Sequence, residues 1–500
     1  MRITLGAGGM RARGALLRLG MVTLLPLLAF TVLNVGFSPW PLYGRSRLAI
    51  LLGTALWSCL LFFGLPRLAA PLSRALRRRE AWVLGAFSLG FFALQVVLAL
   101  HLRHLPITDA EQCVSAASLL ADTGTFATSA RSSLYFSRYP FNLGFVYALS
   151  GLYRLGNLLG LSDRYALTVI ASAVFFQAGL LCAARLARRH GGAGAQARFL
   201  LLCALSVPLL PACAELYTDV FALAFPPMIL LCARGAQEAG NRRGRAGFAL
   251  GFAALTFLGA SIRATVAIAS LACLIEALLT HPRRFALLLA LCLAIGLPGH
   301  AAIERENERH LTREALEQNR LPALHWIAMG LPIHPDEGYG QYGYGGWLIF
   351  STSFEDPQAR EAALAEKVKD RIYYLRYPNR MLNLLSRKNL ASFGDGTYGL
   401  GALFEGDEHE VNSRIKQVLF LRGRYFAAYR QLCTSLLMAQ LLLCGAGLWQ
   451  GLRRARGAAL AIALTGAYGY LFAWETMARY FFMFVPLMLC LGALYAREEA

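Results

Sequence analysis

Two acidic segments lie at the ends of long apolar runs, where ionisable side chains are costly and usually functional. The first is TDAE at residues 108–111, which follows the apolar residues 81–100. The second is ELYTD at residues 215–219, a turn between two apolar runs with almost no room for a loop. A carboxylate in a partly dry crevice can act as a general base toward a hydroxyl group, and neighbouring carboxylates can hold a cation. Both segments also suit a simpler structure, a helix N-cap with an acidic first turn.

Basic and aromatic residues near the ends of other apolar runs are further candidates. Arg263 lies between AALTFLGASI and ATVAIASLAC, with no acidic residue close by in sequence. Its guanidinium needs an anion, either a phosphate or a carboxylate of another helix, unless it extends to the membrane surface. Glu475 and Arg479 are four residues apart and can pair with each other. His325 lies in the aromatic segment PALHWIAMG, which suits a membrane interface.

The composition indicates which elements must position these residues. Hydrophobic residues make up 57% of the 500 and charged residues only 16%, with a mean hydropathy of +0.47. The net charge is +20, yet residues 303–424 hold 16 basic and 17 acidic residues. The positive excess therefore lies in short clusters between apolar runs, as in polytopic membrane proteins that follow the positive-inside rule. This distribution excludes a nucleic-acid-binding module, a disordered chain and a disulfide scaffold.

Apolar runs of about 20 residues, the length of a transmembrane helix, define the predicted spans. They are residues 15–37, 47–65, 81–100, 164–184, 197–213, 217–233, 246–262, 264–280, 284–302, 425–448, 457–474 and 479–496. Placing the arginine clusters between them in the cytoplasm puts both termini inside and both acidic segments outside. Residues 139–156 are also apolar, but a span there would turn every later arginine cluster outward. We therefore predict an interfacial helix that begins at Pro140.

These spans divide the chain into four predicted regions of an all-α polytopic membrane protein. Residues 1–80 hold two additional N-terminal helices, and residues 81–302 form the core with a first outer loop at 101–163. Residues 303–424 form an extracytoplasmic region, and residues 425–500 hold the C-terminal helices. Within the extracytoplasmic region the pattern predicts helices over 306–320 and 356–390, and an irregular loop over the glycine- and tyrosine-rich residues 336–347.

Taken together, the segments resemble the GT-C superfamily of integral-membrane glycosyltransferases. Within it they are similar to bacterial relatives of the protein mannosyltransferases and of the aminoarabinose transferase that modifies lipid A. The resemblance covers residues 81–494 and rests on the two acidic segments, the Tyr-Pro pair at 139–140, and the segments PALHWIAMGL, SFGDGTYG and ETMARYFFMFVPL. The first acidic motif departs from the superfamily, since it is Asp-x-Glu and not two adjacent acids. The WWDYG motif of oligosaccharyltransferases is missing from the sequence.

The resemblance implies a GT-C-type bundle of about 12 transmembrane helices, with its large extracytoplasmic loop between helices 9 and 10. It implies inverting transfer of a sugar from a polyprenyl-phosphate donor to a glycan, lipid or protein acceptor, with Asp109 as the general base. The implied substrate-binding residues are Glu111, Arg138, Tyr139, Tyr217, Asp219, Arg263, His325, Glu475, Arg479 and Tyr480. If a divalent cation such as magnesium or manganese takes part, its candidate ligands are Asp109, Glu111 and Asp219. The implied location is the bacterial cytoplasmic membrane, with the site facing the periplasm or the cell exterior.

Two other functions fit parts of the sequence. A secondary transporter or a flippase of envelope precursors also has many spans, but twelve-span transporters commonly have two related halves and charges at mid-membrane. This sequence has no internal repeat, and its charges lie at span ends on one predicted side. An O-antigen polymerase or ligase uses arginines in large outer loops, which this chain also has. The combination of Asp109 with the turn at residues 217–219 favours the first function, and no nucleic-acid partner is expected.

Overall fold

The computed structural model consists of helices joined by short turns. It describes residues 7–38, 46–127, 129–280, 302–303, 305–343, 345–404, 413–454 and 457–496, together with three single positions between 290 and 299. No β-strand occurs in these residues, which confirms the predicted all-α class. The predicted span at 284–302 falls almost entirely outside the described residues.

The helices are named here in chain order. Up to residue 280 they are α1 (Ala7–Val22), α2 (Leu24–Phe37), α3 (Arg47–Cys59), α4 (Leu65–His101), α5 (Thr108–Thr123), α6 (Ala130–Arg138), α7 (Leu143–Leu158), α8 (Arg164–Leu205), α9 (Thr218–Ala222), α10 (Phe225–Glu238), α11 (Arg242–Ile262) and α12 (Ala267–Thr280). Beyond residue 302 they are α13 (Arg313–Asn319), α14 (Ala323–Gly330), α15 (Trp347–Thr352), α16 (Pro357–Leu375), α17 (Pro378–Phe393), α18 (Leu400–Leu403), α19 (Arg414–Leu419), α20 (Phe426–Arg454), α21 (Ala458–Ala473) and α22 (Val485–Gly492).

Several helices are long and apolar enough to cross a membrane. In the described part of the chain, six stretches meet this criterion: Ala15–Phe37, Arg47–His101, Arg164–Leu205, Thr218–Glu238, Arg242–Ile262 and Phe426–Leu452. The second stretch covers two predicted spans, and the third covers the span at 164–184 and the first half of the span at 197–213. They leave helical geometry at Arg79 and at Gly191–Gly192, in the predicted cytoplasmic arginine clusters. Gly192 has φ +73, a conformation that favours glycine. The number of membrane crossings stays a prediction.

The first outer loop folds into the short helices α5, α6 and α7. Pro140 opens a 3-10 turn, Pro140–Asn142, which leads directly into α7. With 16 residues, α7 is about 24 Å long and shorter than the hydrocarbon core of a bilayer. It packs against α5 and also contacts α8 and α11. Its length favours the predicted interfacial position.

The extracytoplasmic region is more broken than the sequence predicts. Residues 309–312 interrupt the first predicted helix, and Thr312 caps α13 by accepting a hydrogen bond from the Ala315 N–H. The predicted single helix over 356–390 is wrong, because the structure has two helices, α16 and α17, with Tyr377 extended between them. Pro378 causes this break, since a proline disfavours helical geometry in the preceding residue. In the predicted irregular loop at 336–347, the described residues 338–343, 345 and 346 are irregular, whereas Pro335–Glu337 form a 3-10 turn and Trp347 begins α15.

The N-terminal helices are joined to the rest of the bundle by buried polar contacts. Thr31 on α2 shares a hydrogen bond of 3.0 Å with the Tyr468 hydroxyl on α21. On α17, Asn389 donates to the Thr31 hydroxyl at 2.8 Å and accepts from Asn34 at 3.2 Å. Buried polar groups are stabilised only when they are paired. These contacts therefore join α17, in the predicted extracytoplasmic region, to α2, and α2 in turn to α21.

Candidate active site

The two acidic segments converge on the guanidinium of Arg479. The Arg479 Nη2 atom lies 3.7 Å from Asp109 Oδ2, and its Nε atom lies 3.7 Å from Asp219 Oδ2. Arg263 lies on the other side of Asp219, with Nη2 at 3.0 Å from Oδ1. Arg263 also donates to the Thr218 hydroxyl at 2.9 Å. Two carboxylates and two arginines from distant parts of the chain therefore form one cluster, which we call the carboxylate–arginine cluster.

Local geometry shows that neither acid serves as a helix cap. Helix α5 begins after Ile107 and α9 after Tyr217, and neither start has a capping hydrogen bond from a side chain. Thr108 adopts φ +52, a left-handed conformation that is strained for a β-branched residue. Strain of this kind costs roughly 1–3 kcal/mol and is commonly found at functional sites. Asp109, the next residue, instead accepts a hydrogen bond of 2.8 Å from the Tyr135 hydroxyl.

A cavity of about 310 Å³ opens beside Asp109. The Asp109 side chain is 39% exposed, whereas the Asp219 side chain is only 3% exposed. The other residues that line this cavity are Thr108, Glu111, Gln112, Arg131, Leu134, Tyr135, Arg138, Tyr139 and Tyr342. Asp109 is thus the member of the cluster that a substrate can reach from this cavity. Asp219 is enclosed by its arginine partners.

The cavity is closed on one side by a contact between two tyrosines. The hydroxyls of Tyr139 and Tyr342 lie 2.7 Å apart, and Tyr342 belongs to the irregular loop 338–346. Gly340, Gly343 and Gly345 of this loop have φ of +78, +90 and +71, respectively. Glycine is required there because other residues rarely adopt such angles. The glycines therefore shape the turn that brings a tyrosine over the first outer loop.

A second and larger cavity, of about 1160 Å³, adjoins the first. One wall is an apolar face of α11 that includes Ala253, Phe257 and Ala260, and the rim includes Arg320. Arg138 lines both cavities, and its Nε atom has no hydrogen-bond partner in the described part of the chain. The lining also holds Glu308, Glu317 and Glu361 beside its arginines, so its rim is of mixed charge. The apolar wall with Arg138 at the junction of the two cavities suits an amphiphile that has a long apolar chain and an anionic group.

The last predicted segment, residues 474–480, contributes to the cluster in a different way than its spacing indicates. Arg479 pairs with Asp109 and Asp219 as described above, and Glu475 accepts a hydrogen bond from the Tyr480 hydroxyl. The Tyr480 ring lies against Arg263, with 4.8 Å between the guanidinium carbon and the ring centroid. This turn is therefore held by the contacts of Arg479 with the two aspartates and of Glu475 with Tyr480, and not by an ion pair between Glu475 and Arg479.

His325 lies apart from the carboxylate–arginine cluster. Its ring is fully buried and shares a hydrogen bond of 2.7 Å with the Ser351 hydroxyl. Burial lowers its pKa to about 4, so the ring is neutral at physiological pH. Its neighbour Trp326 lines the larger cavity and stacks with Tyr342 and Trp474. The contacts of His325 in the described residues are those of a packed interior histidine.

The candidate metal ligands do not fit a resident divalent cation. In the described residues there is no group of three His, Cys, Asp or Glu side chains that can hold a metal ion. The charge of Asp219 is already balanced by Arg263 and Arg479, and Glu111 is an exposed residue on the cavity wall. A divalent cation between Asp109 and Asp219 would have to displace the Arg479 guanidinium. No step is therefore assigned to a metal.

Three residues of the site were not singled out by sequence reasoning. Tyr135 and Asn142 lie within four residues of Tyr139, which the Tyr-Pro motif marks. Lys388 is fully buried on α17, and its ammonium donates to the backbone carbonyls of Gly330 and Trp474. Burial lowers the pKa of Lys388 to about 7. Lysine occurs only four times in the chain, which could have drawn attention to Lys388. Its hydrogen-bond acceptors, however, are backbone carbonyls, which no sequence pattern indicates.

Comparisons with known proteins found a family and solved structures to which this chain is similar. The family described as "Conserved hypothetical integral membrane protein" matches residues 45–500. The chain is similar to ArnT from Cupriavidus metallidurans bound to undecaprenyl phosphate, with 16% identity and a TM-score of 0.39 over 83% of this chain and 77% of that one. For the apo state of the same protein the identity is 17% and the TM-score 0.38, with the same coverage of 83% and 77%. No curated protein matches the sequence.

Proposed function

The chain belongs to the family of conserved hypothetical integral membrane proteins, and we propose that it is a membrane glycosyltransferase of the GT-C type. In this proposal it transfers a sugar, with inversion, from a polyprenyl-phosphate donor to a glycan, lipid or protein acceptor. The site faces the periplasm or cell exterior from the bacterial cytoplasmic membrane. The positive-inside distribution of arginines supports this orientation.

The observation that carries the proposal is the environment of Asp109. Its carboxylate is open to the smaller cavity, is held by the Tyr135 hydroxyl and lies 3.7 Å from the Arg479 guanidinium. A positioned carboxylate of this kind can take the proton of an acceptor hydroxyl as that hydroxyl attacks the anomeric carbon.

The leaving group requires positive charge, and Arg138 is the cation best placed to supply it. Arg263 and Arg479 already balance Asp219, whereas Arg138 forms no ion pair with a carboxylate in the described residues. Arg138 lines both cavities. The donor's apolar chain then occupies the larger cavity, its phosphate lies at Arg138, and its sugar extends toward Asp109. Arginine suits this role because its fork matches two phosphate oxygens.

The test is consumption of a labelled panel of polyprenyl-phosphate sugars by the purified protein in lipid vesicles. We expect the wild-type protein to release the sugar from at least one donor and the Asp109→Asn variant to lose at least about 100-fold in rate. Asp122→Asn is the matched control, because Asp122 lies at the other end of α5 and pairs with Arg164 away from the cluster. That control should keep its activity.

Other outcomes would support the alternatives. Movement of an intact lipid-linked precursor across the vesicle membrane, without cleavage, would favour a flippase. Consumption of diphosphate-linked donors alone would favour an O-antigen polymerase or ligase. Full activity of Asp109→Asn would remove Asp109 from the mechanism.

A further inference from the structure

Asp109 belongs to a closed ring of contacts that links five separate elements. The Tyr135 hydroxyl donates to Asp109 Oδ1 at 2.8 Å, and Asn142 Nδ2 donates to the Tyr135 oxygen at 2.9 Å. The Tyr217 hydroxyl donates to Asn142 Oδ1 at 3.1 Å. The Tyr217 ring lies against Arg479, with 5.2 Å between the ring centroid and the guanidinium carbon, and Arg479 returns to Asp109. Asn142 is the member of the ring opposite the carboxylate.

The direction of every hydrogen bond in the ring follows from the charge of Asp109. An ionised carboxylate only accepts, so Tyr135 must donate its single proton to Asp109. The Tyr135 oxygen is then available only as an acceptor toward Asn142, which fixes the amide nitrogen on that side. The amide oxygen consequently faces Tyr217, whose hydroxyl must donate. The amide side chain of Asn142 has a donor and an acceptor on separate atoms and therefore satisfies both tyrosines at once.

Burial makes this arrangement difficult to replace. Asn142 is 3% exposed and Tyr217 is 4% exposed, so bulk water does not compete for the amide. A buried donor or acceptor that loses its partner keeps the full cost of its desolvation. The amide therefore holds the Tyr135 hydroxyl in one orientation. A change of donor or acceptor at position 142 must then alter the hydrogen bond that Asp109 accepts from Tyr135.

We propose that Asn142 is a positioning residue that commits the Tyr135 proton to Oδ1 of Asp109 and leaves Oδ2 as the oxygen that takes the acceptor's proton. This inference rests on the proposed glycosyl transfer. In that step the acceptor O–H proton moves to Oδ2 as the acceptor oxygen forms its bond to the anomeric carbon. The bond from that carbon to the phosphate oxygen breaks, and the electron pair leaves with the phosphate. Oδ2 is also the oxygen that faces Arg479, at 3.7 Å.

Charged groups other than the ring also face Asp109, and the test leaves all of them unchanged. They are Glu111 on the same helix, Arg131 and Arg138 on α6, Asp219 on α9, and Glu215 and Glu475 in the turns beside the cluster. The phenols of Tyr139 and Tyr342 complete the cavity wall.

The test measures how Asp109 reacts with a water-soluble carbodiimide, which modifies protonated carboxyl groups, in the full-length protein as a function of pH. Peptide mass spectrometry reads each carboxyl separately, so the exposed Glu366 on α16 serves as an internal reference. In Asn142→Asp the new carboxylate accepts from Tyr135 and draws its proton away from Asp109. We expect the pH of half-maximal Asp109 modification to rise by about one unit. The matched control Asn157→Asp, an exposed site on α7 outside the ring, should not change it.

A double-mutant cycle separates the hydrogen bond from the added charge. In a Tyr135→Phe background Asn142→Asp still adds a negative charge, but no hydroxyl proton remains to be drawn away. We therefore expect a smaller rise from Asn142→Asp in that background than in the wild-type protein. Equal rises in the two backgrounds, or no rise in the wild-type background, would overturn the inference.

If Asn142→Asp does not fold, the isosteric tyrosine variants decide the matter. Tyr135→Phe should raise the pH of half-maximal modification by about one unit, and Tyr217→Phe should raise it less, because Tyr135 keeps its contact with Asp109. An unchanged value in Tyr135→Phe overturns the inference. The readout does not require turnover, so a protein that shows these shifts yet consumes no donor refutes the glycosyltransferase and not the ring.

Discussion

Replacement of Asp219 by asparagine tests whether this buried carboxylate holds the cluster together. The side chain is 3% exposed and lies 3.0 Å from Arg263 Nη2 and 3.7 Å from Arg479 Nε. With an effective dielectric constant of about 20, Coulomb attraction at these two distances amounts to about 5.5 and 4.5 kcal/mol. Most of this attraction is offset by the desolvation of the three ions. The variant, however, leaves the buried Arg263 guanidinium without its counterion and leaves Arg479 with Asp109 alone.

Loss of one partner from a buried ion pair costs about 3–5 kcal/mol, and we expect a destabilisation of this size for Asp219→Asn. The assay is thermal unfolding in detergent, followed by intrinsic fluorescence, alongside donor consumption. A second variant, Asp219→Asn with Arg263→Gln, removes one uncompensated charge and should recover part of the lost stability. Asp122→Asn, which breaks the exposed pair with Arg164, is the control and should unfold like the wild-type protein.

The result that refutes this reasoning is a stable but inactive Asp219→Asn protein. That outcome would mean that Asp219 acts directly on the donor and that the arginines do not need it as a counterion. A double variant that is less stable than Asp219→Asn alone would also contradict the electrostatic account, because it would show that Arg263 stabilises the fold through other contacts.

Three further predictions follow from the same geometry. Arg138→Gln should raise the KM for the donor about tenfold or more with a smaller effect on kcat, measured by donor consumption, because it removes a charged phosphate contact. Burial raises the pKa of Glu337, but hydrogen bonds from Arg371 and two backbone N–H groups outweigh it and lower this pKa overall. The stability that this carboxylate contributes is therefore present above about pH 4.3 and is lost as the pH falls below it. In Glu337→Gln the unfolding temperature should therefore decrease less between neutral and acidic pH than in the wild-type protein. A cysteine at Asn157 should react with an impermeant thiol reagent from outside whole cells, and one at Gly240 should not.

Each of these predictions has a contradicting outcome. A donor KM unchanged in Arg138→Gln would remove that arginine from phosphate binding. An equal decrease of the unfolding temperature at acidic pH in the wild-type protein and in Glu337→Gln would show that the ion pair of Glu337 with Arg371 does not stabilise the fold. Labelling at Gly240 but not at Asn157 would invert the topology and place the carboxylate–arginine cluster on the cytoplasmic side.

Much of the fold was predictable because membrane segments follow simple rules of length and charge. Most apolar runs predicted helices where the structure has them in the described residues, and Pro140 begins the turn into α7 as its position indicated. The predicted spans 197–213 and 479–496 are helical only in part, because α8 ends at Leu205 and residues 478–484 form a 3-10 helix. The extracytoplasmic region was less predictable. Pro378 is a helix-breaking signal in the sequence. The amphipathic pattern continues on both sides of it, however, and that pattern predicted a single helix. This region is predicted to lie outside the bilayer, where membrane thickness does not constrain helix length, and local signals then carry less information.

The candidate site was predictable in its residue types and only partly in its contacts. Asp109, Asp219, Arg263 and Arg479 were singled out because ionisable groups at span ends are rarely incidental. The part played by Asn142 was not, since one asparagine beside an aromatic segment has no distinctive pattern. Its importance comes from the two tyrosines on either side of it, which belong to different elements.

The sequence by itself determined that this is an all-helical membrane protein, because hydropathy and the placement of arginines are properties of the chain alone. Only the tertiary structure decided which charges meet. Glu475 and Arg479 have helical spacing, but Trp474 and Met477 are extended, with ψ of 177 and 155, so the two side chains do not share a helix face. Arg479 is thereby directed toward Asp109 and Asp219. Long-range pairing depends on how several helices pack together, and no local spacing encodes it.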